Sequence, residues 1–512
     1  MNNRRIRNLV ILGGGAAGWM AAAALSRALT GMNIEIRLIE SAQIDAIGVG
    51  EATVPPIMDF IRQLGIDESD LVREISATYK LGIGFRDWTR PGHFYFHPFG
   101  PAAPGIGSIP FPAYWLKLFL EGKAAQLEEY SIHAAAAMRG RFARPVHAPN
   151  TPLNKLTYAL HFDAQQFARY LRRYAEARGV IRTEGHVRHV SVRNADGFVD
   201  AVLLESGARV AADLYIDCSG FRGVLIEGAL HTGYEDWSRW LPCDRALLVH
   251  SERCGPPNPC TLVTARDAGW QWRIPLRHRD SNGYIYNGEF STDATASALL
   301  LRELDGCALN DPVALRFRPG RRTVAWNRNV VALGLAAGFL EPLEATSIHL
   351  IQRGIAMLLK FFPDRDFAAA DITRYNRAIE AEFSGIRDFL LLHYTHTERT
   401  DGFWRHCRAI PLTDSLREKI ALFQSHGRIL RETPELFSTL SWLAVMVGQG
   451  IIPRQYDPLV DGLDARKIHA RLEELRASVR DCVAAMPLHG DFIQSDCSRG
   501  EASAALSMHP SV

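Results

Sequence analysis

The feature that most constrains the fold is a glycine-rich loop near the N-terminus. Residues 8–18 read NLVILGGGAAG, so four β-forming residues lead into glycines with the spacing G-x-G-x-x-G. This spacing predicts a strand, a tight turn and a helix whose free N–H groups face a pyrophosphate. A second predicted strand, 33–39, ends at a carboxylate that can bind a ribose hydroxyl. The context disfavours a glycine turn of another kind and predicts a dinucleotide site formed by Gly13, Gly15, Ala16, Ala17, Gly18 and Glu40.

Composition narrows the class of protein. The chain has 512 residues, of which 47% are hydrophobic and 22% charged, as in globular proteins. A net charge of +2 without a long basic block gives no reason to expect nucleic acid or a membrane surface as a partner. The eight cysteines include no C-x-x-C pair, which argues against a metal site or a disulfide framework. We therefore expect a cytoplasmic protein with no metal and no membrane span.

Two further glycine-containing stretches extend the cofactor prediction. The loop GVGEATVPP, 48–56, follows the ribose-binding strand and adds Gly50, Glu51 and Ala52. Later, a predicted strand over 329–333 leads into the glycine-rich turn GLAAG and a predicted helix over 346–361, so the order of strand, glycine turn and helix occurs a second time. A second such unit suits a flavin-adenine dinucleotide, whereas a nicotinamide-only dehydrogenase has no need of it. Gly334 and Leu335 are expected under the isoalloxazine end, and Val187 completes the predicted FAD set.

The remaining pattern predicts the organisation of the chain. Helical spacing predicts helices over 57–64 and 68–79. The stretch 85–153 is predicted to be structured but irregular, and a capped helix is predicted to begin at Asp163. His93 and His97 in that excursion are better explained by packing than by metal binding. We predict an FAD-binding module over 1–370 with an inserted, antiparallel substrate-side sheet at about 240–325. A helical part, 371–490, is expected to cover the substrate site, and 491–512 to form a flexible tail.

Two features carry chemistry only in combination with others. Strand alternation in WQWRIP, 270–275, places Trp270, Trp272 and Ile274 on one face, and periodicity alone favours an aromatic core stripe. Lys80 and Glu344 are each ordinary in isolation, because most lysines are solvated and a carboxylate before a helix complements its dipole.

Together these motifs resemble those of the flavin-dependent tryptophan halogenase family, in order over about residues 7 to 460. The matches are GGGAAGW (13–19), GVGEATVP (48–55), a lysine before LGIGFRDW (81–88), YALHFDA (158–164), IDCSGFRG (216–223), LPCDRA (241–246), WQWRIP and GLAAGFLEPLEATS (334–347). The W-x-W-x-I-P hexapeptide is the most specific of them among flavoproteins. The resemblance implies an α/β fold with a Rossmann-like, flavin-monooxygenase-like FAD module, an antiparallel substrate-side sheet and a largely helical C-terminal part.

The resemblance also implies a reaction. A separate NAD(P)H-dependent flavin reductase would supply FADH2, and oxygen would then oxidise chloride or bromide to hypohalous acid. Lys80 matches the family's catalytic lysine, which delivers electrophilic halogen to an aromatic ring. Glu344 matches the catalytic glutamate, which polarises the complex or takes the proton from the ring intermediate.

Further roles carry over position by position. Trp270 and Trp272 match the tryptophans that keep the organic substrate away from the flavin, and the backbone amides of Thr346 and Ser347 match the halide site. The family has serine where this chain has Ala345, and often glycine at the position of Ser347. The loss of a hydroxyl at Ala345 leaves the halide preference open.

Two alternatives and the substrate stay open at this point. An aromatic hydroxylase usually has a D-G pair where this chain has Asp217-Cys-Ser-Gly220, and has no reason for WQWRIP; a non-catalytic flavoprotein would make Lys80 dispensable. The late segment 436–456 offers Phe437, Trp442, Gln449 and Tyr456 but no Asp or Glu to pair with an ammonium group. Its aromatic residues suit indole or another electron-rich ring, free tryptophan is not excluded, and a homodimer is left open.

Overall fold

The computed structural model describes residues 4–41, 50–146, 151–431 and 435–507, with side chains as far as residue 498. The chain forms two compact units, each assembled from three separated stretches. The first consists of Met1–Ser76, Phe162–Ser238 and Phe317–Ser384, and the second of Ala77–His161, Arg239–Arg316 and Gly385–Val512. These two units differ from the predicted domains, because the stretch 77–161 belongs to the same unit as the inserted sheet and not to the unit of the FAD module. Gly48 and Val49 of the GVGEATVP motif lie outside the described residues.

The first unit is built on a six-stranded sheet. In spatial order its strands are Trp326–Asn327, Val330–Ala332, Leu214–Asp217, Asn8–Leu12, Glu35–Glu40 and Ile181–Glu184. All neighbours are parallel except the first pair. Apolar runs such as 9–12 suit parallel strands that are buried on both faces. The sheet therefore confirms the predicted Rossmann-like core.

Helices and smaller sheets complete this unit. Two three-stranded sheets consist of Val187–Val192, Val199–Leu204 and Arg209–Ala211, and of Tyr234–Asp236, Gly320–Arg322 and Gly338–Phe339; Gly50–Ala52 is a further short strand. Its helices are Ala16–Ala28, Pro56–Leu64, Glu68–Glu74, Ala164–Glu176, Ser347–Lys360 and the first part of Ala369–Thr395. The Asp163 carboxylate caps the fourth of these helices through the N–H groups of Gln165 and Gln166, as the sequence predicted.

The second unit is built on a seven-stranded sheet. In spatial order its strands are Val313–Arg316, Arg245–Ser251, Asp280–Tyr286, Gly269–Pro275, Thr261–Arg266, Gly82–Arg86 and Phe94–Pro98. The predicted antiparallel layer is present, but two further strands extend it: Gly82–Arg86, through a parallel pairing, and Phe94–Pro98, from the region that was predicted to be irregular. That region also holds the helices Phe111–Leu120 and Ile132–Ala137. Glycine and proline between these elements obscured them in the sequence.

The strand that carries Lys80 corrects a sequence prediction. The helix expected over 68–79 ends at Glu74, and Thr78–Lys80 is a strand that pairs antiparallel with Ala159–Asp163. Ser76 has a φ of 52°, a left-handed conformation that ends the helical path. Helical periodicity continued through this break, while the pairing partner lies far along the chain. Lys80 is thus held by a strand and not by a helix end.

Of the other helices of the second unit, the first lies within the stretch that was predicted as sheet, and the rest lie in the predicted helical part or at the C-terminus. They are Asp293–Arg302, the end of Ala369–Thr395, Gly402–Arg408, Asp414–His426, Thr439–Gly448, Ala465–Ala484 and His489–Ser507. A flexible tail was expected from residue 491, but the last helix continues through this stretch and buries Ile493, Asp496 and Cys497. Residues 508–512 lie outside the residues that the structure describes. Among the helices described, none is both long and apolar enough to cross a bilayer.

Candidate active site

The glycine loop of the first unit has the geometry that a dinucleotide requires. Gly13 has a φ of 113°, and a Cβ there would lie 2.2 Å from the Cys218 carbonyl oxygen. A Cβ at Gly18 would lie 1.9 Å from the Gly13 carbonyl oxygen, so only glycine lets the helix approach the turn. At Gly15, by contrast, a Cβ would meet no atom within 4 Å. The backbone at Gly15 is therefore open to a ligand, as a bound pyrophosphate requires.

Glu40 is held beside this loop. Its Oε2 atom accepts a hydrogen bond of 3.3 Å from Trp19 Nε1, and its Oε1 atom is paired with Arg182. A Cβ at Gly14 would overlap the Glu40 carboxylate, so the side chain lies directly against the loop. The carboxylate is thus fixed where it can accept from a ribose hydroxyl.

The second predicted glycine turn joins the first. Gly334 has a φ of 60°, and a Cβ there would lie 2.8 Å from the Ala17 Cβ, so the two loops touch. Leu335, in the single turn Gly334–Ala336, leaves 38% of its surface exposed beside them. Glu51 lies on the short strand Gly50–Ala52, and burial raises its pKa to about 7. Val187, which was also predicted to bind FAD, begins the strand Val187–Val192 of a small antiparallel sheet and does not lie on the parallel sheet.

Glu344 ends a short turn that leads into the helix Ser347–Lys360. The residue is completely buried, and the next residue, Ala345, takes a left-handed conformation with a φ of 57°. Thr346 is the N-cap and makes no side-chain capping bond. The first N–H groups of an α-helix have no carbonyl partner within it and carry partial positive charge. The amides of Thr346 and Ser347 thus form a helix end that suits an anion.

Lys80 of the second unit is completely buried, and its ammonium group lies against aromatic residues. The Nζ atom is 5.1 Å from the centroid of the Phe99 ring, and the His97 ring meets Phe99 edge-on at 6.1 Å. Burial and the nearby Lys80 charge lower the pKa of His161 well below its usual value. The sequence interpretation gave His97 a packing role and did not single out Phe99. The signal that could have found them is their place at the end of the strand Phe94–Pro98, in the triplet His97-Pro98-Phe99.

An aromatic cluster, which we call the aromatic wall, continues from His97. The Phe389 ring lies 5.4 Å from His97 and stacks on Phe437 at 3.7 Å, while Trp442 meets Phe389 edge-on at 4.9 Å. Phe437 and Trp442 belong to the late segment that the sequence put forward for the substrate. The aromatic wall is therefore assembled from three distant stretches of the second unit.

Among the contacts described for Trp442 in the aromatic wall, the only carboxylate is that of Glu435, and this carboxylate is already paired. Glu435 accepts a hydrogen bond of 3.0 Å from Trp442 Nε1 and forms an ion pair of 2.9 Å with Lys419. Lys419 also lies over the Trp442 ring at 5.1 Å. The negative charge of Glu435 is thus compensated within the protein.

The tryptophans of WQWRIP lie on one face of the strand Gly269–Pro275, as predicted. Trp270 is fully buried and its Nε1 atom donates a 2.7 Å hydrogen bond to the Tyr394 hydroxyl. Trp272 lies 5.9 Å from Trp270, and its ring covers Gly283 on the next strand, where a Cβ would be 2.0 Å from the ring. Its Nε1 atom is buried and has no hydrogen-bond partner within the described part of the chain. Both rings are therefore rigidly placed.

These observations define a class of protein. The open backbone at Gly15, the fixed carboxylate of Glu40 and the touching second turn at Gly334 suit the pyrophosphate, ribose and ring system of FAD. The chain is an α/β flavoprotein by fold and by these residues. The model of the tryptophan halogenase family matches residues 8–465, so the chain belongs to that family.

Individual relatives agree with this assignment. BrvH, a flavin-dependent halogenase from Brevundimonas sp. BAL3, is 46% identical with a TM-score of 0.92, over 96% of this chain and 99% of that one. A flavin-dependent halogenase from Xanthomonas campestris is 44% identical with a TM-score of 0.93, over the same shares. Tryptophan 6-halogenase ThaL from Streptomyces albogriseolus is 34% identical over 88% of this chain and 91% of its own.

The activity follows from the family. The protein is a flavin-dependent halogenase, an oxidoreductase that uses reduced FAD and chloride or bromide. The comparisons support a halogenase and not the alternative of an aromatic hydroxylase. Family members in general act on an aromatic substrate and depend on a partner flavin reductase.

Proposed function

We propose that Lys80 delivers the electrophilic halogen and that Glu344 accepts the proton that the aromatic ring then loses. The glycine loops would hold the reduced flavin, which would activate oxygen as the oxidant that converts halide to hypohalous acid. In the halogenation step a ring C–H and HOX give C–X and water. The complete burial of Lys80 against Phe99 carries this proposal, since a lysine without solvent needs a function or a strong structural reason.

The two charges suit the steps assigned to them. The Lys80 ammonium can donate a proton to the oxygen that leaves the halogen, and burial strengthens this interaction. Glu344 is equally buried, so its carboxylate can stabilise a cationic ring and remove its proton without competition from water. The amides of Thr346 and Ser347 are proposed to bind the halide at the helix end.

We further propose that the substrate is an electron-rich ring without a free ammonium group, with indole as the simplest case. The aromatic wall supplies stacking surfaces, while Glu435, which lies beside Trp442, is already neutralised by Lys419. An amino acid would therefore lack a counter-charge on this side. A separate NAD(P)H-dependent reductase is proposed to supply the reduced flavin. Whether the protein forms a homodimer is a separate question that these contacts do not address.

The test of Lys80 separates formation of the oxidant from its use. FADH2, oxygen, bromide and indole are supplied together with a hypohalite scavenger, and flavin reoxidation and bromoindole are followed separately. Lys80→Met should bind FAD and reoxidise flavin like the wild type, but lower bromoindole formation by at least about 10³-fold. Lys117→Met is the matched control, because Lys117 also lies over an aromatic ring, that of Tyr456 at 4.9 Å. Wild-type bromination by Lys80→Met would refute the proposed role.

Glu344 is tested in the same assay. Glu344→Gln keeps the shape of the side chain and should slow bromoindole formation by about 10²-fold, because an amide cannot accept the ring proton. Glu341→Gln is the control, since Glu341 is equally buried in the same turn. Equal losses in the two variants would mean that the effect is structural.

The substrate is tested by competition. With equal concentrations of indole and tryptophan, kcat/KM for indole should exceed that for tryptophan by at least about 10-fold, because the unpaired ammonium costs more than 1.4 kcal/mol. Preference for tryptophan would refute the substrate assignment while leaving the roles of Lys80 and Glu344 untouched.

A further inference from the structure

The C-terminal helix His489–Ser507 contacts the strand that carries Lys80. His489 is completely buried at the start of this helix, and its Nε2 atom accepts a 3.1 Å hydrogen bond from the backbone N–H of Tyr79. Its Nδ1 atom lies 2.9 Å from the Pro257 carbonyl oxygen, which can only accept, so Nδ1 carries the proton. The imidazole is thus fixed as the neutral Nδ1–H tautomer, and its lone pair holds the main chain one residue before Lys80.

The Tyr79 side chain is held by the same segment. Its hydroxyl donates a 2.8 Å hydrogen bond to Asp496 on the C-terminal helix, and Arg144 binds both the hydroxyl, at 2.9 Å, and the Asp496 carboxylate, at 2.6 Å. The Tyr79 ring stacks on Phe142 at 4.3 Å and meets Phe492 edge-on at 5.4 Å. Backbone, ring and hydroxyl of this one residue are therefore all fixed.

This anchoring bears directly on Lys80. Side chains alternate along a strand, so a Tyr79 fixed on one face determines the direction in which Lys80 leaves the other. On the far side of Lys80, the Leu81 N–H donates to the Pro259 carbonyl at 2.7 Å. His489 therefore binds the same 257–259 segment that holds Leu81, and the two bonds enclose Lys80. A displacement of about 1 Å in a reacting group can lower a rate by about 10²-fold.

We propose that His489 is a positioning residue for Lys80, and that the C-terminal helix is the element through which the fold aims this lysine. The proposal rests on the proposed role of Lys80 in halogen delivery. Burial lowers the pKa of His489 to about 4, so the ring stays neutral near neutral pH and adds no positive charge beside the lysine. Asp496 and Arg144 support the same residue from its hydroxyl end.

The experiment uses the complete enzyme and the assay with FADH2, oxygen, bromide, indole and scavenger. The quantity measured is bromoindole formed per flavin reoxidised, together with the thermal midpoint of each variant. His489→Leu removes the acceptor for the Tyr79 N–H and should lower this ratio by about 10-fold or more, with FAD affinity unchanged. His489→Gln, whose amide oxygen can accept the same bond, should restore most of it.

A matched control separates positioning from loss of stability. Asn329 is also buried, and its side-chain oxygen accepts a 2.9 Å hydrogen bond from the Val199 N–H in the first unit. Asn329→Leu should lower the thermal midpoint at least as much as His489→Leu, while the product-to-flavin ratio stays that of the wild type. If His489→Leu does not fold, Tyr79→Phe removes only the hydroxyl anchor and should lower the ratio by about 3-fold.

The outcomes are distinguishable. Wild-type ratios in His489→Leu, or in Tyr79→Phe where the former does not fold, would overturn the positioning role. The same would follow if His489→Gln were as impaired as His489→Leu, or if Asn329→Leu lost the same fraction of product. Lys80→Met in the same assay tests the underlying mechanism independently, because retained bromination there refutes the role of the lysine itself.

Discussion

Substitution of Gly15 by alanine should weaken FAD binding without harming the fold. Gly15 has a φ of −76° and a ψ of −173°, which alanine adopts without strain, and its Cβ would meet no protein atom within 4 Å. The apoprotein should therefore be as stable as the wild type, or more stable by about 0.4–1 kcal/mol, because alanine restricts the unfolded chain. The new methyl group instead occupies the space through which a pyrophosphate reaches the loop.

The expected loss of affinity follows from the contacts that the methyl group displaces. A charge-assisted hydrogen bond between a backbone N–H and a phosphate oxygen contributes about 1.5–3 kcal/mol. Loss of one such bond at Gly15 should weaken FAD binding by about 10- to 10²-fold, since each 1.4 kcal/mol is tenfold in the dissociation constant. Titration of apoprotein with FAD, followed by flavin fluorescence, measures this change.

Gly18→Ala provides the contrast within the same loop. Its Cβ would lie 1.9 Å from the Gly13 carbonyl oxygen, so turn and helix must separate by roughly 1.5 Å, at a cost of about 1–3 kcal/mol or more. The helix Ala16–Ala28 cannot shift easily, because Ala21, Ala22 and Ala23 in its middle are completely buried. We expect a lower thermal midpoint of the apoprotein here and not in Gly15→Ala. If Gly15→Ala binds FAD like the wild type, the assignment of the pyrophosphate to this loop is wrong.

Three further predictions concern the second unit. Gly283→Ala should displace the Trp272 ring, since the new Cβ would lie 2.0 Å from it; tryptophan fluorescence should change, and unfolding free energy should fall by about 1–3 kcal/mol. Trp270→Phe removes the donor to the Tyr394 hydroxyl and should cost about 1–2 kcal/mol in urea unfolding, with FAD affinity unchanged as the check. Because the pKa of His489 falls to about 4 on folding, its contribution to stability is present above pH 6.5 and lost as the pH falls toward 4. Across that range the wild type should lose about 3 kcal/mol more than His489→Gln, and parallel pH profiles of the two would contradict this.

The sequence by itself determined the parts of the site that depend on local backbone. The glycines of the first loop, the carboxylate at the end of the next strand and the glycine turn at Gly334 are constrained by turns and close approaches within a few residues. The alternation of WQWRIP likewise fixed which side of its strand Trp270 and Trp272 share. Such features can be predicted because their physical cause lies inside the motif.

The tertiary structure decided what surrounds the lysine. Helical periodicity predicted a helix as far as residue 79, but Thr78–Lys80 is a strand because distant residues, beginning with Ala159, supply its hydrogen bonds. Phe99 meets Lys80 through a strand that the sequence pattern concealed. His489 reaches Tyr79 across a separation of 410 residues, from the end of the part predicted to be helical, directly before the predicted flexible tail. Contacts of this range depend on the packing of whole elements, which no local pattern encodes.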